Sequence, residues 1–248
     1  MHIFDEKMVF FRILQFIFQI IGFIIYSKFA LDYQNNYQFQ KFNDHICDNV
    51  LKNKVSVIGN IPDMSNKPCV IMANHYNLND YVVIKKALQT HFIVIAKSDL
   101  MSENNFCPGL GQLESVLFNS FHIIPYIRGN KENGEIIKQK IKDTIENGNH
   151  VLVFPEGATH KNGIPKEFKK GIFHLCHDNH IPILPLTLMF DRNIGLGKEE
   201  KFNIFDIYDV NVTIYVHETI TESENMESLM QDVFDKIIGP FQIREFEK

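Results

Sequence analysis

The sequence predicts an α/β domain: a layered mixed sheet flanked by helices, preceded by an amino-terminal membrane-associated helix. Two patterns and a size predict it. From about residue 50 to 240, short continuously apolar runs alternate with helical patterns of roughly ten residues or more, as strands buried between helical layers do. Residues 8–26 are apolar at 15 of 19 positions. The 248 residues are 45% hydrophobic, enough for one main domain with a sizeable core. No repeat or internal boundary is visible within residues 50–240.

Taken in order, the apolar segment comes first. Nineteen helical residues span about 28 Å, close to the roughly 30 Å of a bilayer's hydrocarbon. Arg12, Gln15 and Gln19 recur at spacings of three and four and share one helical face. That suits an interfacial helix, or one that hides its polar stripe against protein. A cleaved signal peptide fits less well, because the positive charge sits inside the run, Asp5 and Glu6 precede it, and no small-residue cleavage site follows. Residues 1–42 are therefore expected to attach the chain to a membrane, spanning it or half-buried, and residues 43–248 to form the globular domain. A buried helix of a soluble domain is the alternative.

A short helix is expected to reach residue 53. Strands follow at 55–61, ended by Pro62-Asp63, and at 69–73, which runs into Asn74-His75. Residues 80–89 read as a helix and 91–96 as a strand, with Ser98 or Asp99 available to cap what comes next. Pro108, Gly109 and Gly111 mark a loop before a helical stretch at 112–119. Residues 121–126 form a core strand that delivers Arg128 at its end. Residues 135–147 form an amphipathic helix with Ile136, Ile137, Ile141 and Ile145 inward and Lys138, Lys140 and Lys142 outward. Gly148 ends it. Strands at 151–154, 183–188 and 211–217 alternate with helices at 168–178 and from 222 or 223 onward.

Composition narrows function. The formal net charge is −5, but residues 209–248 alone carry nine acids against three bases, −6, leaving +1 on the first 208. No basic stripe with interleaved aromatics supports nucleic-acid binding. Cys47, Cys69, Cys107 and Cys176 lack paired ligand spacing and read as reduced thiols; no HExxH or other metal motif occurs, so no metal is expected. The 33 Ile and 23 Asn against 5 Ala indicate compositional drift, so scattered Asn and Ile are discounted as functional signals.

Four places put ionisable residues at the ends of apolar strands, where α/β folds hold ligands. In Asn74-His75-Tyr76-Asn77-Leu78-Asn79-Asp80, a histidine can accept a proton near neutral pH, and a carboxylate on its other ring nitrogen would fix the tautomer. The spacing of five works if His75 lies in a turn and Asp80 in the first turn of a helix; alternatively these are a surface histidine and a cap. Arg128 suits a bidentate phosphate contact, or an ion pair with Glu132 or Glu135. Glu156, between Pro155 and Gly157 directly after a buried strand, needs a partner if buried. It could orient a ligand hydroxyl or hold Arg128, with Gly157 permitting close backbone approach; a surface turn is the simpler alternative. Lys161, Lys166, Lys169 and Lys170 could rim a phosphate site or form a solvated helix start. Isolated histidines such as His122 and His174 read as structural.

In this order the motifs resemble the glycerolphosphate acyltransferase superfamily, especially its 1-acylglycerol-3-phosphate and lysocardiolipin-type acyltransferases. The stretch from His75 to Asp80 resembles the family's His-x4-Asp motif, and the stretch ending in Arg128 its second block. Phe154-Pro155-Glu156-Gly157 matches the third, and Ile181-Pro182-Ile183-Leu184-Pro185-Leu186 the fourth; Phe168-Lys169-Lys170-Gly171 is similar to the lysine-glycine helix start. The resemblance covers about residues 50–240.

It implies acyl transfer from a thioester, acyl-CoA or acyl-carrier protein, to a glycerol hydroxyl of a lysophospholipid, with no bound cofactor. His75 would be the base and Asp80 its charge partner. Arg128, Glu156 and Gly157 would shape the acceptor-phosphate site, assisted by Lys169 or Lys170. The implied partners are membrane lipid, lysophospholipid acceptor and acyl-CoA, with the active site facing the cytoplasm. Two departures stand out: the third block continues Ala158-Thr159-His160 where the family has Thr-Arg-Ser, and Asn119-Ser120 replaces a glycine before the second block's strand. The competing expectations are a CoA-independent transacylase and a non-enzymatic lipid-binding protein.

Overall fold

All seven apolar runs read as strands pair into one sheet. The structure, a computed structural model, describes residues 36–65, 67–77, 79–97, 123–126, 131–195 and 207–246. Helix α1 (Asn36–His45) continues into a π-helical turn, Ile46–Val50, and runs across the expected boundary at residues 42 and 43. Then come β1 (Lys54–Ile58), β2 (Val70–Ala73), α2 (Asn79–Leu88), β3 (Phe92–Lys97), β4 (Ile123–Tyr126), α3 (Lys131–Glu146), β5 (His150–Val153), α4 (Lys170–Asp178), β6 (Ile183–Phe190), β7 (Asn211–Val216) and α5 (Met226–Phe246). The sheet order is β1-β7-β6-β2-β5-β3-β4. Every adjacent pair is parallel except β6 and β7.

The central strands β2, β5 and β6 are buried at every position, which is why their sequences are unbroken apolar runs rather than alternating ones. Successive side chains still part to opposite faces. Ile71, Ala73, Leu152, Leu184, Leu186 and Leu188 join one core with Val83, Ile84 and Leu88 of α2 and Ile46 and Val50 before β1. Val70, Met72, Val151, Val153 and Ile183 join a second core with α4 and α5. The helix read at 135–147 starts one turn earlier, at Lys131. Its inner face holds Ile141, with Ile137 and Ile145 partly buried, but Ile136 is exposed: it sits one residue off the buried stripe, at the wrong angle for a 3.6-residue repeat. In α5, Pro240 lies inside the helix, and the hydroxyl of fully buried Thr187 on β6 donates to the Ile237 carbonyl in the preceding turn.

The expected fold class needs one correction. Among the described residues no helix is long and apolar enough to cross a membrane. The longest, α5, has 21 residues but carries Glu227, Asp232, Asp235, Lys236 and Arg244, charges that a bilayer interior disfavours. The α/β layers are thus described without the membrane-associated helix expected to precede them. Residues 8–26, on which that expectation fell, lie outside the described residues, as do Ser98, Asp99 and residues 112–119.

Candidate active site

β2 and β5 are parallel neighbours, with Val70 opposite Val151, so the loops leaving their carboxyl ends emerge side by side. The chain passes from β2 through α2 to β3, and from β5 through α4 to β6 on the other side of β2. This divergence is the switch point at which open α/β sheets hold ligands. One loop carries His75 and the other Glu156.

His75 lies in the turn after β2, and Asp80 in the first turn of α2. The imidazole Nδ1 is 2.7 Å from Asp80 Oδ2, with the His75 side chain 22% exposed and that of Asp80 fully buried. Asp80 Oδ2 also accepts the main-chain N–H groups of Tyr76 at 2.6 Å and Asn77 at 3.0 Å. With Oδ2 as acceptor, Nδ1 carries the hydrogen and Nε2 keeps its lone pair. Burial raises the Asp80 carboxyl above its ordinary value, while the hydrogen bonds from His75, Tyr76 and Asn77 oppose that rise. The His75 ring stacks on Phe154, with centroids 4.0 Å apart and planes 13° apart. Ring and carboxylate together leave the imidazole little freedom to rotate.

Glu156 is buried, at 4% exposure. Its Oε1 accepts the His75 main-chain N–H at 2.9 Å, and Oε2 lies 2.7 Å from His160 Nε2. Burial pushes the Glu156 acid up to about 8; the His75 amide opposes this and the charge of Asp80 adds to it. Gly157 closes the turn, donating to the Phe154 carbonyl at φ +64°, a left-handed conformation that favours glycine. A β-carbon there would sit in ordinary contact with the Lys169 Cγ, so Lys169 reaches the same corner. Its main-chain N–H donates to the Pro155 carbonyl, which fixes the start of α4 beside the loop. Lys161, Lys166, Lys169 and Lys170 are all exposed.

The structure thus gathers His75, Asp80, Glu156, Gly157 and Lys169, with Lys170 exposed at the first position of α4. Arg128 lies outside the described residues, as do Cys107 and His122. Cys47, Cys69 and Cys176 are buried free thiols, and among the described residues no cluster of three or more metal-ligating side chains occurs.

The discounted asparagines turn out to build the site. Asn74, fully buried, donates to the carbonyls of Gly163 and Leu188 and accepts the Leu188 N–H, tying the end of β2 to β6 and to the loop after β5. Asn77 caps α2 by accepting the Asn79 N–H, and donates to Ile194. Asn53 in turn donates to Asn79. A usable signal was present: three asparagines in the seven residues 74–80, against 23 in 248 overall. His160 had no such signal, because its contact with Glu156 is made by a non-helical loop.

A family model described as Acyltransferase matches residues 48–189, more than half of the chain, with His75, Asp80, Glu156 and His160 inside the match. The chain belongs to the acyltransferase family. Among its curated relatives, 1-acyl-sn-glycerol-3-phosphate acyltransferase alpha of Ovis aries is 27% identical over 141 residues, 55% of this chain and 45% of that protein. The 1-acyl-sn-glycerol-3-phosphate acyltransferase of Cocos nucifera is 29% identical over 140 residues, 56% and 42% of the two chains. That of Borreliella burgdorferi is 25% identical over 199 residues, covering 77% of this acyltransferase and 74% of its own chain. The matched stretch spans a little under half the length of the first two relatives. The fold matches the crystal structure of the 1-acyl-sn-glycerophosphate acyltransferase PlsC from Thermotoga maritima, with a TM-score of 0.69 at 19% identity over 97% of this chain and 96% of that one.

Proposed function

We propose that this acyltransferase moves a fatty acyl group from a thioester donor, acyl-CoA, to the free hydroxyl of a lysophospholipid, 1-acylglycerol-3-phosphate. The observation that carries the reading is the His75–Asp80 pair at 2.7 Å, its imidazole partly exposed at the carboxyl end of β2. The activity named for the relatives supports the choice of acceptor.

His75 Nε2 takes the proton from the acceptor hydroxyl as its oxygen attacks the thioester carbonyl. Asp80 stabilises the imidazolium that forms. When the tetrahedral intermediate collapses, the carbon–sulfur bond breaks and the leaving thiolate takes the proton back from His75. An ester and a free thiol result, and no acyl-enzyme is needed. The exposed lysines of residues 161–170 draw the acceptor phosphate to the site mouth, with Lys169 beside Gly157, Lys170 next to it, and Arg128, just after β4 in the chain, as further phosphate contacts. Glu156 shapes the site from below. Because acceptor and product are lipids, the enzyme works at a membrane surface, on its cytoplasmic side.

The test offers purified protein labelled acyl-CoA with lysophosphatidate, glycerol-3-phosphate or lysocardiolipin as acceptor. Phosphatidate is the expected product, and His75→Ala lowers turnover by about 100-fold or more. Undiminished turnover by His75→Ala would sink the mechanism. Product formed from a diacyl donor without CoA would favour a transacylase.

A further inference from the structure

We propose that His160 is a positioning residue for this reaction, acting through Glu156 to hold the main chain of His75 where its imidazole can meet the acceptor hydroxyl. The proposal rests on His75 being the base.

The loop after β5 grips His75 at two points. Glu156 Oε1 accepts the His75 N–H at 2.9 Å, and the His160 N–H donates to the His75 carbonyl at 3.0 Å. Residues 156 and 160 therefore take both main-chain polar groups of the base. The grip depends on Glu156 staying fixed, and its second oxygen faces His160 Nε2 at 2.7 Å. The Glu156 side chain is 0% exposed and that of His160 22%.

Oε2 makes no hydrogen bond among the described residues, although the ring nitrogen is so close. The ring edge thus meets the carboxyl as a close polar contact and not as an aligned hydrogen bond. The surroundings favour uncharged partners. Burial and the charge of Asp80 raise the Glu156 acid. Burial, with Lys166 and His75 nearby, lowers the imidazolium of His160, so a neutral acid faces a neutral ring.

The rest of His160 is anchored independently. Its carbonyl accepts the Gly163 N–H at 3.0 Å, and Gly195 packs so tightly against that carbonyl that a β-carbon there would collide with it. The ring is thus a fixed post against which Glu156 leans. A shift of Glu156 moves the His75 main chain, which Phe154 and Asp80 do not hold because they touch only the ring.

His160→Phe keeps the ring's bulk and removes the polar edge that faces Oε2; His160→Gln restores a polar amide atom near the position of Nε2. Steady-state kinetics with acyl-CoA and lysophosphatidate are expected to show kcat reduced about 10-fold to 100-fold in His160→Phe, the scale of a displaced catalytic group. The acceptor KM stays within about twofold, and His160→Gln recovers most of kcat. Unchanged kcat in His160→Phe, or a raised acceptor KM alone, overturns the proposal; the latter would make the ring a substrate contact. If His160→Phe does not fold, His160→Ala carries the same expectations.

A second readout is independent of turnover. The proton NMR spectrum of the wild-type enzyme should show a low-field His75 Nδ1–H signal from the bond to Asp80. The signal should be lost to exchange in His160→Phe and retained in His160→Gln. Persistence in His160→Phe overturns the proposal. Absence of product from wild type with every acceptor would instead defeat the acyltransferase reading, leaving this spectrum to judge the role of His160.

Discussion

Replacing Glu156 by glutamine removes one buried ionisable group while keeping the shape of its side chain. The amide oxygen introduced by Glu156→Gln can still accept the His75 N–H that Oε1 accepts at 2.9 Å. The amide nitrogen takes the place of Oε2, which lies 2.7 Å from His160 Nε2 in the wild type. What changes is the proton linkage. In the unfolded chain the acid titrates near 4.5, and in the fold burial raises it to about 8. Between these values the folded protein holds a proton that the unfolded chain has released. The stability of the wild type, fully present below 4.5, therefore drains away as pH rises towards 8, at about 1.4 kcal/mol per pH unit. The Glu156→Gln variant has no proton to release there and is spared that loss. From about pH 5.5 to about pH 8 it should gain about 3 kcal/mol on the wild type. Urea unfolding of both proteins, followed by circular dichroism at intervals across that range, reads the difference directly. Taking it between the two proteins cancels the titrations of groups that do not face Glu156. A difference that stays level across this range would show Glu156 ionised in the fold.

Two further substitutions probe the dyad and its frame. Asp80→Asn removes the charge that stabilises the His75 imidazolium and weakens an acceptor now shared by three donors. It should lower kcat by about 100-fold to 10,000-fold with little change in acceptor KM, and kinetics within about threefold of wild type would refute its role. Gly163→Ala places a methyl group inside the Tyr76 ring, which is buried and packed edge-on against Phe190, at a backbone φ of +68°. The expected cost is about 2–4 kcal/mol, seen as a melting temperature lower by about 5–10 °C; a fall of under about 1 °C would show that the loop yields freely.

What the chain determined locally was readable. Strands β2, β5 and β6 are buried on both faces and so must be short apolar runs, and α2 begins where the spacing of His75 and Asp80 requires. Both partners of that pair are five positions apart, and a turn followed by a helix can join them without help from the rest of the molecule. Proximity in sequence does not extend to Glu156, which is 81 residues from His75; its partner was decided by the pairing of β2 with β5. The same holds for Asn74, whose amide reaches Gly163 and Leu188, 89 and 114 residues away. His160 is only four residues from Glu156, yet its contact needs the loop to fold back over the sheet end, a path set by packing against Gly195. Apolar periodicity records which side of an element faces the core. It carries no information about which buried polar groups satisfy one another, and those pairings came from the sheet order and the packing of the loops at its end.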